Sequence, residues 1–544
     1  MTRLYLKHRA IPGLLALTLS LLVVGCKSEP TPEPKPAART AAELETRPAA
    51  AAEPKVEAEA DVPYTLTLEP FKIEGLIGVH SGAHAEYDNK LVLLAGRKNG
   101  MHAFPPQRGE GAEIWSFPPD QANDSIYVVD LAGRRLLGAA AVDSLPKAIA
   151  NQLRSVGPQF FDEDGKLYVV GGYAPTDDGS SMQTLDQVVA IDLPALIEAV
   201  TSGTKLDAKF VKEHIAVGNH PALAVTGGAI GVLGEHLLLA FGHMYNGLYT
   251  TGGGGAQQEY SQSVRELDFA INAGKVVVTY IGKAPNPPST SPQPLPDGPY
   301  HRRDYTLLPV LASDGSPRIG AFGGVFKGGR MEGYVNPVYI AAEAGAGEGA
   351  SAGKLSFKLS EEADSSQLLS QYETAVIPVY STRRKAMYTT FFGGISQFHW
   401  DPTARKLVQD PPDFGKDPPQ DGLPFINSIS TLRVGGPGNG DFIHLNEQFP
   451  PLGGQPTCHG SVDALAEFGG TNAIFVMAAG LPVDNEVILL DKLAAPTVIG
   501  HVLGGIAATS PYPGKATCAS DKLYAVTLTP NQSTTTAPLS APEP

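Results

Sequence analysis

The sequence is poor in cysteine, tryptophan and charge, with 3 cysteines and 2 tryptophans in 544 residues. Charged residues make up 18% of the chain and apolar residues 42%, a balance that excludes disorder over most of its length. Basic residues are outnumbered by acidic ones, 41 to 56, so the formal net charge is −15. Because a negative surface disfavours polyphosphate partners, nucleic-acid binding is not expected.

Signature motifs of several enzyme classes are also missing. The chain contains no GxSxG, HExxH or P-loop segment. His80 and His84 are four residues apart, but along a strand this spacing separates the side chains by about 13 Å. The sequence therefore predicts no metal site and no cofactor, and it assigns no catalytic residue.

The N-terminus carries a targeting segment. Basic residues among the first nine positions precede an apolar run over residues 14–24, which is short for a membrane-spanning helix. The run ends in Val-Val-Gly-Cys26, which resembles the lipobox of bacterial lipoproteins. That resemblance implies a signal peptide over residues 1–25 and acyl chains on Cys26, with a plain secretory signal as the alternative. Lys27 in place of Asp favours the outer membrane.

Composition divides the rest of the chain into three parts. Residues 26–62 are rich in Pro, Ala and Glu and are expected to form a disordered linker between the lipidated cysteine and the folded body. Residues 63–530 form the folded domain, and residues 531–544 a disordered tail. We expect a monomer that is lipid-anchored in the cell envelope, on the periplasmic side of the outer membrane or at the cell surface.

Two cysteines remain in the folded domain, Cys458 and Cys518. In an exported protein a disulfide between them is plausible, because the compartment is oxidising. A reactive or metal-binding site at Cys458-His459 is the alternative.

A hairpin pattern recurs through the folded domain. A short apolar strand, a tight turn and a second apolar strand ending in glycine follow one another in each copy. The first five glycine marks are 70 to 82 residues apart, and the sixth lies 111 residues further on; the marks are at Gly96, Gly172, Gly242, Gly324, Gly394 and Gly505. In the sixth copy residues 486–490 are expected to be the first strand. The longer spacing implies an insertion or a degenerate unit, and residues 474–480 could be part of either.

Doubled glycines end four of these copies, at residues 171–172, 323–324, 393–394 and 504–505. In this the chain resembles the kelch-type β-propellers. In the segments VHSGAHAEYDNKLVLLAG, HRRDY and FFGGI it also resembles a group of exported bacterial kelch-repeat proteins. The resemblance implies an all-β, kelch-like β-propeller with six blades, or seven, in which residues 64–68 pair with residues 522–528 to complete the last blade. A pair of β-sandwiches is the alternative fold.

The loops that precede the first strands of such blades converge on one face of the channel. The residues just before each first strand are expected to form a polar ring, with members at His80-Ser81, Ser155, His220, His301 to Asp304, Tyr372-Glu373 and Asn485. Arginine forks suit carboxylates, sulfates or phosphates. Since neighbouring residues on a strand point to opposite faces, at most one of Arg302 and Arg303 should face the channel. The predicted ligand-binding residues are His80, Arg302, Arg303, Asp304 and Glu373.

Two functional hypotheses follow. The first is an envelope lipoprotein whose propeller is a platform for a protein or glycan, with the polar groups paired on a shallow face. The second is a carbohydrate-active envelope enzyme, epimerase- or oxidase-like, with His, Arg and Glu side chains converging in a deep pocket.

Overall fold

The chain is all-β, as predicted. A computed structural model describes residues 62–102, 115–249, 256–285, 298–343, 355–361, 365–401, 403–404, 406–436, 441–448, 468–514 and 516–531. Within these ranges it contains thirty-four strands and three short α-helices, and no helix there is long and apolar enough to cross a membrane. The predicted signal peptide, Cys26, nearly all of the linker, Cys458 and all but the first residue of the tail lie outside the described residues.

Strand β1 (Tyr64–Lys72) precedes the first of six sheets. The first sheet has four antiparallel strands in chain order, β2 (Ala83–Tyr87), β3 (Lys90–Leu94), β4 (Ser125–Asp130) and β5 (Arg135–Ala141). The turn between β2 and β3 is made by Asp88 and Asn89, both with positive φ, because these residue types tolerate the left-handed conformation that a tight hairpin needs.

The second and third sheets repeat this order, and each carries a short hairpin after its second strand. The second sheet has β6 (Gln159–Glu163), β7 (Lys166–Val170), the hairpin β8 (Tyr173–Pro175) and β9 (Met182–Thr184), β10 (Gln187–Asp192) and β11 (Ile215–Asn219). The third has β12 (Ala229–Leu233), β13 (His236–Ala240), the hairpin β14 (His243–Asn246) and β15 (Gln257–Tyr260), β16 (Val264–Asn272) and β17 (Lys275–Ala284). A parallel pairing of β11 with β17, at Val217 and Lys275, joins the second and third sheets into one sheet of eight strands.

The fourth and fifth sheets follow the same pattern. The fourth has β18 (Arg303–Leu311), β19 (Pro317–Val325), β20 (Val338–Ala342) and β21 (Phe357–Glu361). The fifth has β22 (Ala375–Ser381), β23 (Ala386–Ile395), the hairpin β24 (Phe398–Asp401) and β25 (Lys406–Gln409), β26 (Phe425–Gly435) and β27 (Asp441–Gln448). Every residue of β22 and β23 is buried, which explains their apolar sequences without alternation.

The sixth sheet joins both ends of the described chain. It contains β28 (Ala473–Met477), β31 (Thr497–Gly504) and β34 (Lys522–Pro530), and β1 pairs with β34 over nine residues from Tyr64 opposite Pro530 to Lys72 opposite Lys522. The predicted pairing of these terminal strands is confirmed. The prediction for the first strand of this copy is wrong, because β29 (Val483–Asp484) and β30 (Val487–Leu489) extend the fifth sheet, with β30 parallel to β22.

A small hairpin and several helices complete the described elements. The hairpin consists of β32 (Ile506–Ala508) and β33 (Thr517–Ala519). The α-helices are α1 (Lys147–Gln152), α2 (Leu193–Ser202) and α3 (Ala208–His214), and 3₁₀ turns lie at Pro119–Gln121, Val142–Ser144, Pro221–Leu223, Lys327–Gly329 and Leu490–Lys492. Helix α2 begins at Asp192, whose carboxylate accepts a hydrogen bond from the Ala195 N–H, and ends at Gly203 with φ 71°.

The first strands of successive sheets lie against one another. Strand β2 contacts β6, β6 contacts β12, β12 contacts β18, β18 contacts β22, and β22 contacts β28. The apolar clusters are therefore shared between neighbouring sheets, as in the cluster that joins Val92 and Ile126 of the first sheet to Leu167 and Val189 of the second. This arrangement brings the starts of the first strands close together.

Candidate functional site

A pair of residues stands at the start of the first strand of each sheet, just before the strand in five sheets and as the first two residues of β18 in the fourth, and we call these six pairs the leading turns. They are His80-Ser81, Val156-Gly157, Thr226-Gly227, Arg303-Asp304, Tyr372-Glu373 and Thr471-Asn472. The second residue of every pair has a positive φ, between 47° and 61°. Four of these six residues are not glycine, and a left-handed conformation costs such residues about 1 kcal/mol or more.

Backbone hydrogen bonds connect neighbouring leading turns. The Gly157 N–H donates to the Ser81 carbonyl at 3.0 Å, and the Asp304 N–H donates to the Gly227 carbonyl at 2.9 Å. Two further bonds of this kind join Gly227 to Gly157 and Asn472 to Glu373. Asn472 also donates from Nδ2 to Ser81 Oγ at 2.9 Å, which links the sixth sheet to the first. In four of the six pairs, the N–H of the left-handed residue thus donates to the leading turn of the preceding sheet.

The residue after each glycine mark pairs with a leading turn of the same sheet. Bridges join His80 to Arg97, Val156 to Tyr173, Thr226 to His243, Arg303 to Val325 and Tyr372 to Ile395, and the Ile506 N–H donates to the Thr471 carbonyl. Leading turns and glycine-following residues from all six sheets line one cavity with an empty volume of about 1140 Å³, including its open mouth.

One side of this cavity is aromatic and polar, and the other is apolar. The polar side includes two arginines, three histidines and a group of tyrosines, namely Arg97, Arg303, His80, His102, His243, Tyr173, Tyr245 and Tyr249. The apolar side is formed by Met101, Val325, Phe326, Met331, Ile395, Leu423 and Ile506. Such a two-sided cavity suits a small molecule with one polar and one apolar face.

The structure brings four of the five predicted ligand-binding residues to this cavity: His80, Arg303, Asp304 and Glu373. Arg302 lies elsewhere, as expected for one member of an adjacent pair. Its side chain is fully buried, donates to the carbonyls of Pro299, Gly323 and Asn336 at 2.7 to 3.2 Å, and lies 4.4 Å from the ring of Tyr334. Arg302 therefore holds loops of the fourth sheet together.

Arg303 is almost fully buried, at 6% exposure, and has partners on several sides. Its Nη2 donates to the Tyr249 hydroxyl at 2.8 Å, and its Nε lies 3.3 Å from Asp304 Oδ2. Its Nη1 lies 3.1 Å from Nδ1 and 3.3 Å from Nε2 of His243, whose Nδ1 is also 2.7 Å from Gln258 Nε2. Burial and the nearby Arg303 charge lower the pKa of His243 well below its usual range, so that the ring is neutral and can accept a hydrogen bond from Nη1.

Two carboxyl groups of the cavity have raised pKa values. Burial raises the pKa of Glu373 well above its usual range, and the negative charge of Asp304 raises it further. Burial also raises the pKa of Asp304, although the Arg303 charge opposes the shift. The surroundings of Glu373 therefore favour its protonated form, whereas Asp304 is the ion-pair partner of Arg303.

His80 is neutral and held by its neighbours. Burial is the main reason that its pKa falls to about 3, and the Arg97 charge adds to the shift. Its Nε2 lies 2.9 Å from the Asn99 carbonyl, which can only accept, so Nε2 carries the proton and Nδ1 accepts from Ser81 Oγ at 3.0 Å. Among the described side chains no group of three potential metal ligands occurs.

Besides Arg302, four members of the predicted polar ring lie away from the cavity. One is His301, which is buried with its ring stacked on that of Tyr260. Ser155 is fully buried and donates to the Gln152 carbonyl, His220 accepts the Ala222 N–H at the start of a 3₁₀ turn, and Asn485 lies exposed between β29 and β30. Leading turns line the cavity in place of Ser155, His220 and Asn485. The turn begins one residue after Ser155 in the second sheet and six residues after His220 in the third. In the sixth sheet it ends thirteen residues before Asn485.

Sequence reasoning missed Arg97, Tyr173 and His243. Each directly follows a glycine mark that is recognisable in the sequence. The position after each mark was therefore the sequence signal that could have identified these three residues.

The described residues include one of the two cysteines that were predicted to form a disulfide. Cys518 is disulfide-bonded. Because Cys458 lies outside the described residues, the pairing of these two cysteines stays a prediction.

Comparison with known proteins adds little to this geometry. No protein-family model matches the chain, and no curated protein matches it. A solved structure described as "Structure of YjhT" is 12% identical, and the match covers 82% of this chain and 95% of that chain with a TM-score of 0.39. A similarity at this level assigns neither a family nor an activity.

Proposed function

We propose that this protein is an outer-membrane lipoprotein whose six sheets close into a six-bladed, kelch-like propeller, and that its central cavity binds an acidic carbohydrate. The propeller is supported by the repeated four-stranded order, by the contacts between successive first strands, and by the pairing of β1 with β34. The Asn472–Ser81 bond between the sixth and first sheets supports closure.

The membrane anchor rests on the sequence at Cys26. Metabolic labelling with an alkyne-tagged fatty acid should label the wild-type chain, and Cys26→Ser should abolish the label and release the protein from the membrane fraction. Equal labelling of both proteins would remove the anchor from this proposal.

The ligand assignment is carried by one observation: two buried arginines, Arg97 and Arg303, line a single cavity together with tyrosine and histidine rings. Aromatic faces pack against the apolar faces of sugar rings, while hydroxyl, imidazole and guanidinium groups bond to sugar hydroxyls. The concave shape of this open-mouthed cavity favours a small glycan over a protein partner, because a protein partner needs an extended surface.

Binding can be measured by calorimetry on the full-length protein in detergent. The titrants are uronic, aldonic and nonulosonic acids, with neutral hexoses for comparison. We expect at least one acid to bind, and Arg303→Met to weaken its binding about tenfold or more because Tyr249 and His243 lose their common partner. Arg383→Met, at a side chain that is 73% exposed, is the matched control and should bind as the wild type does. Absence of binding to every carbohydrate would refute the ligand assignment.

A second candidate, an acid–base enzyme acting on the same ligand, is favoured by the carboxyl pair. Glu373 holds a proton beside Asp304 and Arg303, an arrangement suited to proton transfer. Incubation of each bound carbohydrate with the protein, followed by NMR, should then reveal a product, and Glu373→Gln should stop turnover while changing affinity less than threefold. Unchanged spectra with every bound carbohydrate would leave binding as the function.

A further inference from the structure

We infer that Arg97 is the residue that binds the acid group of the ligand, and that this group is a carboxylate. The inference rests on the proposed function of the same cavity. Arg97 was not among the residues expected at the site, and its role is distinct from that of Arg303.

The backbone fixes Arg97 at the cavity wall. Its N–H donates to the His80 carbonyl at 2.9 Å, and the His80 N–H donates to the Arg97 carbonyl at 3.1 Å. The preceding Gly96 has φ 80°, and a Cβ there would meet the His80 carbonyl oxygen at 2.2 Å. Only glycine allows this close approach, so the position from which the Arg97 side chain departs is determined by the fold.

The guanidinium of Arg97 has an unused donor. Its Nε donates to Asn99 Oδ1 at 2.9 Å, and its Cζ lies 4.9 Å from the centre of the Phe117 ring. Nη2 is buried and has no hydrogen-bond partner within the described part of the chain, although the whole residue is only 1% exposed. Among the described residues no carboxylate lies within 4.0 Å of it. A buried positive charge without a counter-ion is unfavourable, and an anion from the ligand would remove that cost.

The other two buried arginines of this region differ in this respect. Arg303 also has a buried nitrogen without a hydrogen-bond partner among the described residues, its Nε, but this nitrogen lies 3.3 Å from the Asp304 carboxylate, and Arg303 donates to Tyr249 as well. Arg302 donates to carbonyl groups of its own sheet at 2.7 to 3.2 Å. Arg97 differs from both because no described carboxylate forms an ion pair with it. The ligand's negative charge therefore belongs at Arg97, while Arg303 positions the cavity wall that faces the hydroxyl groups.

The surroundings of Arg97 indicate how much charge the ligand brings. Burial lowers the pKa of Arg97 only to about 10, so the guanidinium remains charged at neutral pH, whereas the pKa of about 3 leaves the adjacent His80 uncharged. Asp120 interacts favourably with the Arg97 charge, but no described carboxylate forms an ion pair with it, so Arg97 can pair with one negative charge of the ligand. A carboxylate supplies that charge, whereas a phosphate monoester carries about −1.5 to −2 and would leave excess negative charge buried.

The test separates charge recognition from general affinity. Each acid that binds is compared with its uncharged methyl ester, on wild type, Arg97→Met and Arg303→Met. Wild type should prefer the acid about a hundredfold, and Arg97→Met should lose that preference while binding the ester within threefold. Arg303→Met should weaken acid and ester alike and keep the preference. Because the unpaired charge is gone, ligand-free Arg97→Met should also melt at or above the wild-type temperature, which shows that it folds.

The possible failures are distinguishable. If the wild type binds acids but Arg97→Met retains the preference, the assignment of Arg97 is overturned and the proposed function stands. If no carbohydrate binds, the proposed function falls, and the thermal shift produced by acetate against acetamide at constant ionic strength decides the role of Arg97. A shift by acetate in the wild type that disappears in Arg97→Met supports the anion site, and equal shifts in both proteins overturn it.

Discussion

At the scale of single residues, the adjacent pair Arg302-Arg303 shows what sequence could and could not provide. Alternation along a strand predicted that only one of the two would face the cavity. Which one does so depends on the left-handed Asp304 that follows, because this turn sets the direction of Arg303 relative to β18. Local conformation of this kind has no signal in an Arg-Arg-Asp sequence.

The first prediction concerns Arg302 as a structural residue. Arg302→Met should lower the free energy of unfolding by about 2–4 kcal/mol, because three buried carbonyl groups lose their donors. Urea denaturation measures the effect. Arg318→Met, on the partly exposed surface of β19 in the same sheet, should change stability by about 0.5 kcal/mol or less. Equal effects of the two substitutions would contradict the structural role.

The second prediction follows from the raised pKa of Glu373. An unfolded chain loses the proton of Glu373 near pH 4.5, whereas the folded protein keeps it to higher pH, so this residue makes stability fall as pH rises above 4.5. The Glu373→Gln variant has no titrating carboxyl at this position and should not lose stability in this way. The free energy of unfolding of the variant minus that of the wild type should therefore increase from pH 5 to pH 8. The slope can reach about 1.4 kcal/mol per pH unit.

Urea denaturation at four pH values over this range measures the difference. The control is Glu198→Gln on the exposed face of α2, for which the difference from wild type should stay constant. A constant difference for Glu373→Gln as well would show that its carboxyl ionises in the folded state as it does in the unfolded chain.

At the scale of elements, the two glycines of each doubled pair are needed for different physical reasons. The first glycine of each pair touches the backbone of the next sheet: a Cβ would meet Val225 O at Gly171, Ser370 O at Gly323, Gly469 O at Gly393 and Val79 O at Gly504, all within 2.7 Å. The second glycine precedes the residue that lines the cavity. In the two copies without a doubled glycine, Ala95 and Phe241 adopt the same positive φ.

The third prediction compares two left-handed glycines. Gly171→Ala should destabilise the protein by about 2–4 kcal/mol, because backbone strain adds to the contact with Val225 O at 2.4 Å. Gly203→Ala has a similar φ of 71° but open space around the new Cβ, so it should cost only about 1 kcal/mol. Thermal or urea unfolding distinguishes them, and equal losses would show that the close approach between sheets is unimportant.

The glycine marks were readable from the sequence, but the first strand of the sixth copy was not. Strand β30 has the apolar pattern of a first strand, yet it pairs with the fifth sheet in parallel orientation. The true first strand, β28, lies upstream of it because the sixth copy contains an insertion after β28. Periodicity identifies strands but not their partners when spacing changes.

At the scale of the whole molecule, the sequence predicted the all-β class and the pairing of the terminal strands. That six leading turns line one cavity could be predicted from the sequence only in outline. The predicted ring was correct where strands begin directly after the polar residues, as at Tyr372-Glu373, and failed where a 3₁₀ turn or an extra loop intervenes, as at His220.

The fourth prediction concerns strand β1. Deletion of residues 62–72 should lower the free energy of unfolding by at least about 5 kcal/mol, because the pairing with β34 and the burial of Tyr64, Leu66 and Phe71 are lost. A synthetic peptide of residues 62–73 should restore much of the loss in a thermal-shift assay, and a scrambled peptide should not. A deletion variant as stable as the full chain would show that β1 does not complete the sixth sheet.

The position of β1 also determines how mechanical tension would travel through the protein. In the sixth sheet β1 is the outermost strand, and β34 and β31 separate it from β28, which begins at the cavity. A pull on residue 62 would first have to strip nine paired residues from β34. The cavity would therefore keep its shape while the N-terminal end of strand β1 is under load.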